Sequence, residues 1–421
     1  QVLDRYIENT IVAIEMVRVL GERVDFEVFA AFDVYSMMSA ARLYARAQGK
    51  TVRMMGIAYH KDGDINRIVA LSSPNTIKEQ ALRFAQWPDW RDLALPPDRI
   101  AEIMDDFVYR LSSSGAHIYS PNKTLSAADI FQTLRLVPGR RTLVAYTSSH
   151  DEHDAMLYNL QGLGLEREPE QNAFADSLEW LKALIEYVES DPDLQLVVRL
   201  HPRIGATARD GVVSPDYLRY REQLSGDYER CRVVWPDDAI SSYDLAELAD
   251  LVLIAWTSIG LELARIGVPV LTGLPTFLKL APDQAIISIA HERNDYFMKL
   301  RQMLMEPPSP QRIRLAFRWY NLFYLGNSTD VSDMQLRRDR PVPFIQPVRA
   351  KRLAQALLGE REALEGNRDE LVALQTEQEF EFETAALRGQ LGRVIHFLVT
   401  GVDSHDAVTI NVMDQTGSGP L

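Results

Sequence analysis

Apolar residues along this chain come mainly as short unbroken runs of strand length, each followed by a polar break and then by residues at helical spacing. Leu196-Val197-Val198 leads into Arg199-Leu200-His201-Pro202-Arg203. Arg232 to Trp235 leads into Pro236-Asp237-Asp238, with Ser241, Ser242 and Tyr243 opening the next helix. Leu251 to Ala255 leads into Trp256-Thr257-Ser258, then Ile259 to Arg265 at helical spacing, a stop at Gly267, and a strand from Val268 to Leu271. Unbroken rather than alternating runs predict strands buried on both faces, hence an α/β chain with a parallel sheet between helices. Its strands end in HPR, PDD and WTS, so these loops should share one sheet edge, where open α/β sheets hold ligands.

The first half repeats the pattern. Phe26 to Phe32 reads as a strand, Asp33 to Ser36 as a loop, Met37 to Gln48 as a helix stopped by Gly49, and Thr51 to Met55 as a strand. Residues 56–96 are less regular, and Asp62-Gly63-Asp64 reads as a turn rather than an acidic metal motif. Ile100 to Leu111 is an amphipathic helix. His117 to Ser120 and Thr142 to Tyr146 read as the last strands of this half. A polar, Gly- and Pro-punctuated link at 161–171 then precedes a helix at Ala173–Ser190. The expected organisation is a Rossmann-like domain at 1–165, a second at 166–345, and a charged helical extension at 346–421 suited to oligomerisation. The extension's apolar positions are too irregular for a strict heptad.

Candidate chemistry concentrates at the strand ends. Arg199 and Arg203 suit bidentate phosphate recognition, and His201, held at a strand tip by Pro202, can donate to a phosphate or leaving oxygen. Thr257 or Ser258 would cap the following helix, whose first N–H groups favour an anion. Glu262, one turn on, faces the same way and suits ribose hydroxyls. Asp238 and Ser242 complete the expected donor contacts. For base or nucleophile the candidates are Asp33, Glu152 and, behind them, His150. Glu152 also fits a capping box after Ser149. His150 and His153 have metal spacing without a second ligand cluster, so neither metal nor cofactor is expected.

The 421 residues are 46% hydrophobic and carry a net charge of −14, which argues against nucleic acid as a partner and makes a local basic cluster the more telling. The single cysteine, Cys231, permits no intrachain disulfide and reads as a buried structural thiol. With no apolar run of membrane-span length and no signal-like start, a soluble cytoplasmic protein is expected.

The HPR element, followed by SSYDLAELADLVLIAWTSIGLELARIGVPVLT, resembles the nucleotide-sugar-binding half of bacterial surface-polysaccharide glycosyltransferases of GT-B architecture. It is most similar to capsule-biosynthesis proteins of the Kdo-transferase type, and it shares the His-Pro element with sialyltransferases that use CMP-activated sugars. The acidic first-domain motif of the sialyltransferases has no counterpart here. The resemblance covers roughly residues 140–275 and, more weakly, the unit around Asp33. It implies two Rossmann-like domains facing a cleft and C-terminal helices packing back. It puts donor phosphate on His201, Thr257 and Ser258. It also implies a nucleotide-sugar donor, CMP-Kdo before a UDP-sugar, and a saccharide or glycolipid acceptor reached at the inner membrane's inner face. Epimerisation of a nucleotide-sugar, polyol-phosphate transfer and a non-catalytic role in polysaccharide assembly or export remain open alternatives.

Overall fold

Six apolar runs pair into one parallel sheet. In the computed structural model they are β4 (Arg141–Tyr146), β5 (Leu194–Arg199), β6 (Cys231–Val234), β7 (Leu251–Ala255), β8 (Val270–Leu274) and β9 (Ser288–Ile289), in the spatial order β6-β5-β4-β7-β8-β9. The structure describes residues 2–32, 36–61, 64–71, 76–96, parts of 99–110, 120–121, 125–149, 172–206, 211–275 apart from 212, and 281–330 apart from 283, 307, 308 and 327. Its described residues form two compact units.

The second unit holds this sheet. The strand order reverses between β4 and β7, as in doubly wound nucleotide-binding sheets, and the reversal opens a crevice at the carboxyl ends of those two strands. Every residue of β5, β7 and β8 is buried, as unbroken apolar runs require. The Ile259–Ala264 helix lies so close on the sheet that a Cβ on Gly260 would stand 2.6 Å from Ile254 Cδ1 and 3.2 Å from Val270 Cγ1, so glycine is needed there. Gly267, at φ +88°, turns the chain from that helix toward β8. The core gathers Leu196, Val198, Leu251, Leu253 and Leu271 from the sheet, with Trp180, Leu181 and Leu184 from the Ser177–Glu189 helix. Trp180 donates its indole N–H to Tyr296 Oη at 2.9 Å inside this core.

Two readings change here. Thr142–Tyr146, expected to close the first domain, is a central strand of the second sheet, paired with β5 and β7. Apolarity reports that a strand is buried but does not name its neighbours. Ser241–Tyr243 open a turn and a 3₁₀ segment at Leu245–Glu247 instead of an α-helix. The buried Asp244 carboxylate accepts from the N–H of Ser241 at 2.8 Å and from that of Leu125 at 3.1 Å, so this turn is tied to a distant segment.

The first unit contains the expected βαβ element, β1 (Val28–Phe32), the Ser36–Ala47 helix and β2 (Thr51–Lys61), with β1 and β2 parallel. The stretch expected to be irregular continues β2 into an antiparallel β3 (Asp64–Leu71), Lys61 opposite Asp64, and then into the Thr76–Trp90 helix. A short strand, Ser328–Asp330, adds antiparallel to β3, so this sheet is mixed where a Rossmann-like one was expected. A 22-residue helix at Val2–Arg23, absent from the sequence reading, packs Val17 against Ala41, Ala45 and Val52. The extension at 346–421 lies outside the described residues.

Cys231 is 2% exposed, and burial pushes its thiol up to about 12. A thiol-specific chromogenic reagent should leave the native protein unlabelled and titrate one thiol once the chain is denatured.

Candidate functional site

Arg199 is the last residue of β5, and because that strand is covered on both faces its side chain is confined to the interior, at 1% exposure. Its Nη1 donates to the carbonyl of Trp235 at 2.5 Å, whereas Nε and Nη2 meet no hydrogen-bond acceptor. No described carboxylate stands at ion-pair distance from it. Burial pulls the guanidinium down to about 10, against the opposing pull of Asp238, so it stays a cation at neutral pH. A buried cation with two uncommitted N–H groups is an anion-binding element.

His201 follows two residues on in extended geometry, as the proline behind it requires. Its Nδ1 accepts the backbone N–H of Arg203 at 3.2 Å, so the neutral ring carries its proton on Nε2 and presents a donor. Its own backbone N–H donates to Thr147 Oγ1 at 2.8 Å, tying the loop after β5 to the end of β4.

Beyond β7, Ser258 does not cap the helix that it opens. Its hydroxyl donates to Glu262 Oε1 at 3.0 Å, while the N–H groups of Gly260 and Leu261 bond to the carbonyls of Thr257 and Ser258. Two of the first N–H groups of the expected helix-terminus anion site are thereby engaged in local turn bonds, and the Arg199 guanidinium lines the same cavity. Glu262 is 6% exposed; its Oε2 accepts Tyr243 Oη–H at 2.5 Å and its Oε1 accepts Arg110 Nη1 at 3.3 Å.

A third wall comes from the segment after β6. Tyr146 donates its phenol to the carbonyl of Ser242 at 2.7 Å, and the N–H of Ser242 donates to Ser120 Oγ at 2.7 Å. Asp244 accepts Leu125 N–H at 3.1 Å, which fixes this segment to the one after Ser120. Arg199, His201, Ser242, Tyr243, Ser258 and Glu262 line a cavity of about 90 Å³ in the second unit, at the carboxyl ends of β4, β5 and β7 where the strand order reverses.

Of the residues singled out from sequence, Arg199, His201, Ser242, Thr257, Ser258 and Glu262 converge on this cavity. Arg203 and Asp238 are not among its lining residues. Asp238 accepts the N–H of Trp235 at 2.7 Å and so shapes the turn that holds the Trp235 carbonyl on Arg199. The PDD loop thus supports the site from behind, with Pro236 packed against Gly205 so closely that a Cβ there would stand 2.6 Å away. Asp33, His150 and Glu152 lie outside the described residues. Arg110, Tyr146 and Tyr243 line the cavity without having been singled out for it. Arg110 comes from the helical residues of 99–110, 152 positions before its partner Glu262, and no local pattern marks that pairing.

Among the described residues no cluster of three or more His, Cys, Asp or Glu side chains could hold a metal ion, and no helix is long and apolar enough to cross a membrane. No family model and no curated protein matches the chain. Solved structures similar to it include KpsC, a β-Kdo 2,4 transferase from Thermosulfurimonas dismutans, at 12% identity over 78% of this chain and 86% of that one, with a TM-score of 0.42. They also include a UDP-GlcNAc 2-epimerase from Neisseria meningitidis bound to UDP-GlcNAc, at 14% identity over 75% and 79%, with a TM-score of 0.34. At these values the α/β class and the Rossmann-type strand order are carried by this chain's own pairing.

Proposed function

We propose that the chain is a glycosyltransferase that takes a sugar from a nucleotide-activated donor, a CMP-sugar such as CMP-Kdo, and passes it to a saccharide or glycolipid of the bacterial surface. The observation that carries this reading is Arg199, buried with Nε and Nη2 uncommitted beside the cavity at the sheet's switch point. In this reading its guanidinium and His201 Nε2–H bind the donor phosphate and neutralise the leaving group, and the hydroxyls of Thr147 and Thr257 complete the shell. Glu262 accepts ribose hydroxyls. The lining side chains carry two guanidiniums and one carboxylate, a net charge of about +1 with His201 neutral, which favours an anionic ligand in a chain that is acidic overall. The base or nucleophile belongs to Asp33 or Glu152. Two GT-B domains around the acceptor, peripheral attachment to the membrane and oligomerisation through 346–421 are parts of the same proposal.

A thermal-shift panel of CMP, CDP, UDP and GDP tests it. CMP alone should raise Tm, by the equivalent of about 2.7 kcal/mol at a hundred times its dissociation constant, and His201→Ala should remove most of the response. A response to UDP with none to CMP would overturn the CMP assignment. Turnover of a nucleotide-sugar without any acceptor would replace transfer by epimerisation.

A further inference from the structure

Glu262 stands in the cavity wall on a helix of six residues, and its orientation is set by what grips the carboxylate. Oε1 takes two donors, Ser258 Oγ at 3.0 Å and Arg110 Nη1 at 3.3 Å, whereas Oε2 takes one, Tyr243 Oη at 2.5 Å. A carboxylate oxygen accepts two hydrogen bonds, so Oε2 retains one position for a ligand hydroxyl.

Arg110 is the one cation among the described residues that pairs with Glu262. It is itself anchored from behind: its Nε donates to both oxygens of Asp106, at 3.2 and 3.0 Å. Asp106 is 2% exposed and also receives Arg265, whose Nη1 and Nη2 lie 3.3 and 3.4 Å from Oδ2. Arg265 is 1% exposed, donates to the carbonyl of Ile103 at 3.3 Å and stacks 4.1 Å over the ring of Tyr320. Burial alone would raise the Asp106 carboxyl, but Arg110 and Arg265 hold it below its usual range. Opposite charges therefore alternate as Arg265, Asp106, Arg110 and Glu262, and only the last two face the cavity.

We propose that Arg110 is the positioning residue of the cavity: clamped by Asp106, it holds Glu262 in the orientation that receives the ligand's ribose and cancels the carboxylate's repulsion of the ligand's phosphate. The inference rests on the reading of the cavity as a nucleotide site. With Nε held on Asp106, Arg110 reaches Glu262 through Nη1 on Oε1 alone, so Oε2 stays available.

The test compares binding of CMP, 2′-deoxy-CMP and 3′-deoxy-CMP by calorimetry to the full chain and to its Arg110→Met and Arg110→Lys variants. The unaltered protein should bind at least one deoxynucleotide about tenfold more weakly than CMP, the cost of one lost hydrogen bond to a charged acceptor. Arg110→Met should bind CMP at least tenfold more weakly and bind all three within about twofold of one another. Arg110→Lys, which keeps the charge, should recover part of the CMP affinity. A general loosening of the fold would lower all three affinities and leave their ratios alone. Unchanged discrimination in Arg110→Met, with Arg110→Lys equally unchanged, would overturn the positioning role while leaving the nucleotide reading intact. Absence of binding by the unaltered protein to any of the three removes the nucleotide reading, and the positioning role falls with it.

Discussion

Replacing Arg199 by Met should raise the melting temperature and abolish nucleotide binding together. The fall of this guanidinium from its ordinary range to about 10 corresponds to roughly 3 kcal/mol against the folded state. The sign follows from linkage: near pH 10 to 12 the folded chain binds fewer protons at this residue than the unfolded chain, so the penalty is fully present at pH 7 and disappears only in strong alkali. Met removes the charge and keeps much of the volume. It also forfeits the bond to the Trp235 carbonyl, about 1 kcal/mol, so the net gain is about 2 kcal/mol, or roughly 2 °C in Tm. A residue retained for structure would destabilise the chain when removed. Stability that rises while the CMP response vanishes is the signature of a group kept for a ligand. Differential scanning calorimetry with and without CMP decides it, and a fall in Tm for Arg199→Met would count against an uncompensated cation.

Asp106→Ala should do the reverse. Asp106 is the anion between Arg110 and Arg265, and its removal leaves Arg265 at 1% exposure with no carboxylate at hydrogen-bond distance and Arg110 with Glu262 alone. Breaking a buried pair from one side costs about 3–5 kcal/mol, since the remaining charge keeps its desolvation penalty, and for a chain of this size Tm should fall by roughly 5 °C. The double variant Asp106→Ala with Arg265→Met should recover a large part of the loss, because the stranded cation is gone. Equal melting of single and double variants would show that Asp106 and Arg265 are not energetically coupled. The two predictions have opposite signs although both concern buried charges near one cavity, and what separates them is whether the protein itself supplies the counter-charge.

The sequence was most legible where local pattern and burial coincide. The runs at Leu196, Val233 and Leu251, the stop at Gly267 and the βαβ unit from Phe26 to Met55 all form as their spacing implies, because strand and helix periods and glycine's backbone freedom act over a few residues. It was less legible where one local signal admits two structures. Ser258 has the composition of a helix cap, yet its hydroxyl turns to Glu262, four residues on, because the helix's first N–H groups already have carbonyl partners. Ser241–Tyr243 likewise lead into a turn and a 3₁₀ segment, in a stretch bonded to Ser120 and Leu125 more than a hundred positions earlier.

By itself, the chain determined its α/β class, the buried parallel strands, the placing of Arg199, His201, Thr257 and Ser258 at strand ends, and that of Glu262 one turn into the helix that follows, since all of these follow from short-range apolar periodicity. Only the tertiary structure decided that β4 lies between β5 and β7, so that the strand order reverses at the cavity, and that Arg110, Asp106 and Arg265 form the clamp behind Glu262. The β4 and β7 partners and the pairs Arg110–Glu262 and Asp106–Arg265 join residues more than a hundred positions apart, and no pattern within one element encodes which distant partner will bury the other half of its surface or balance its charge.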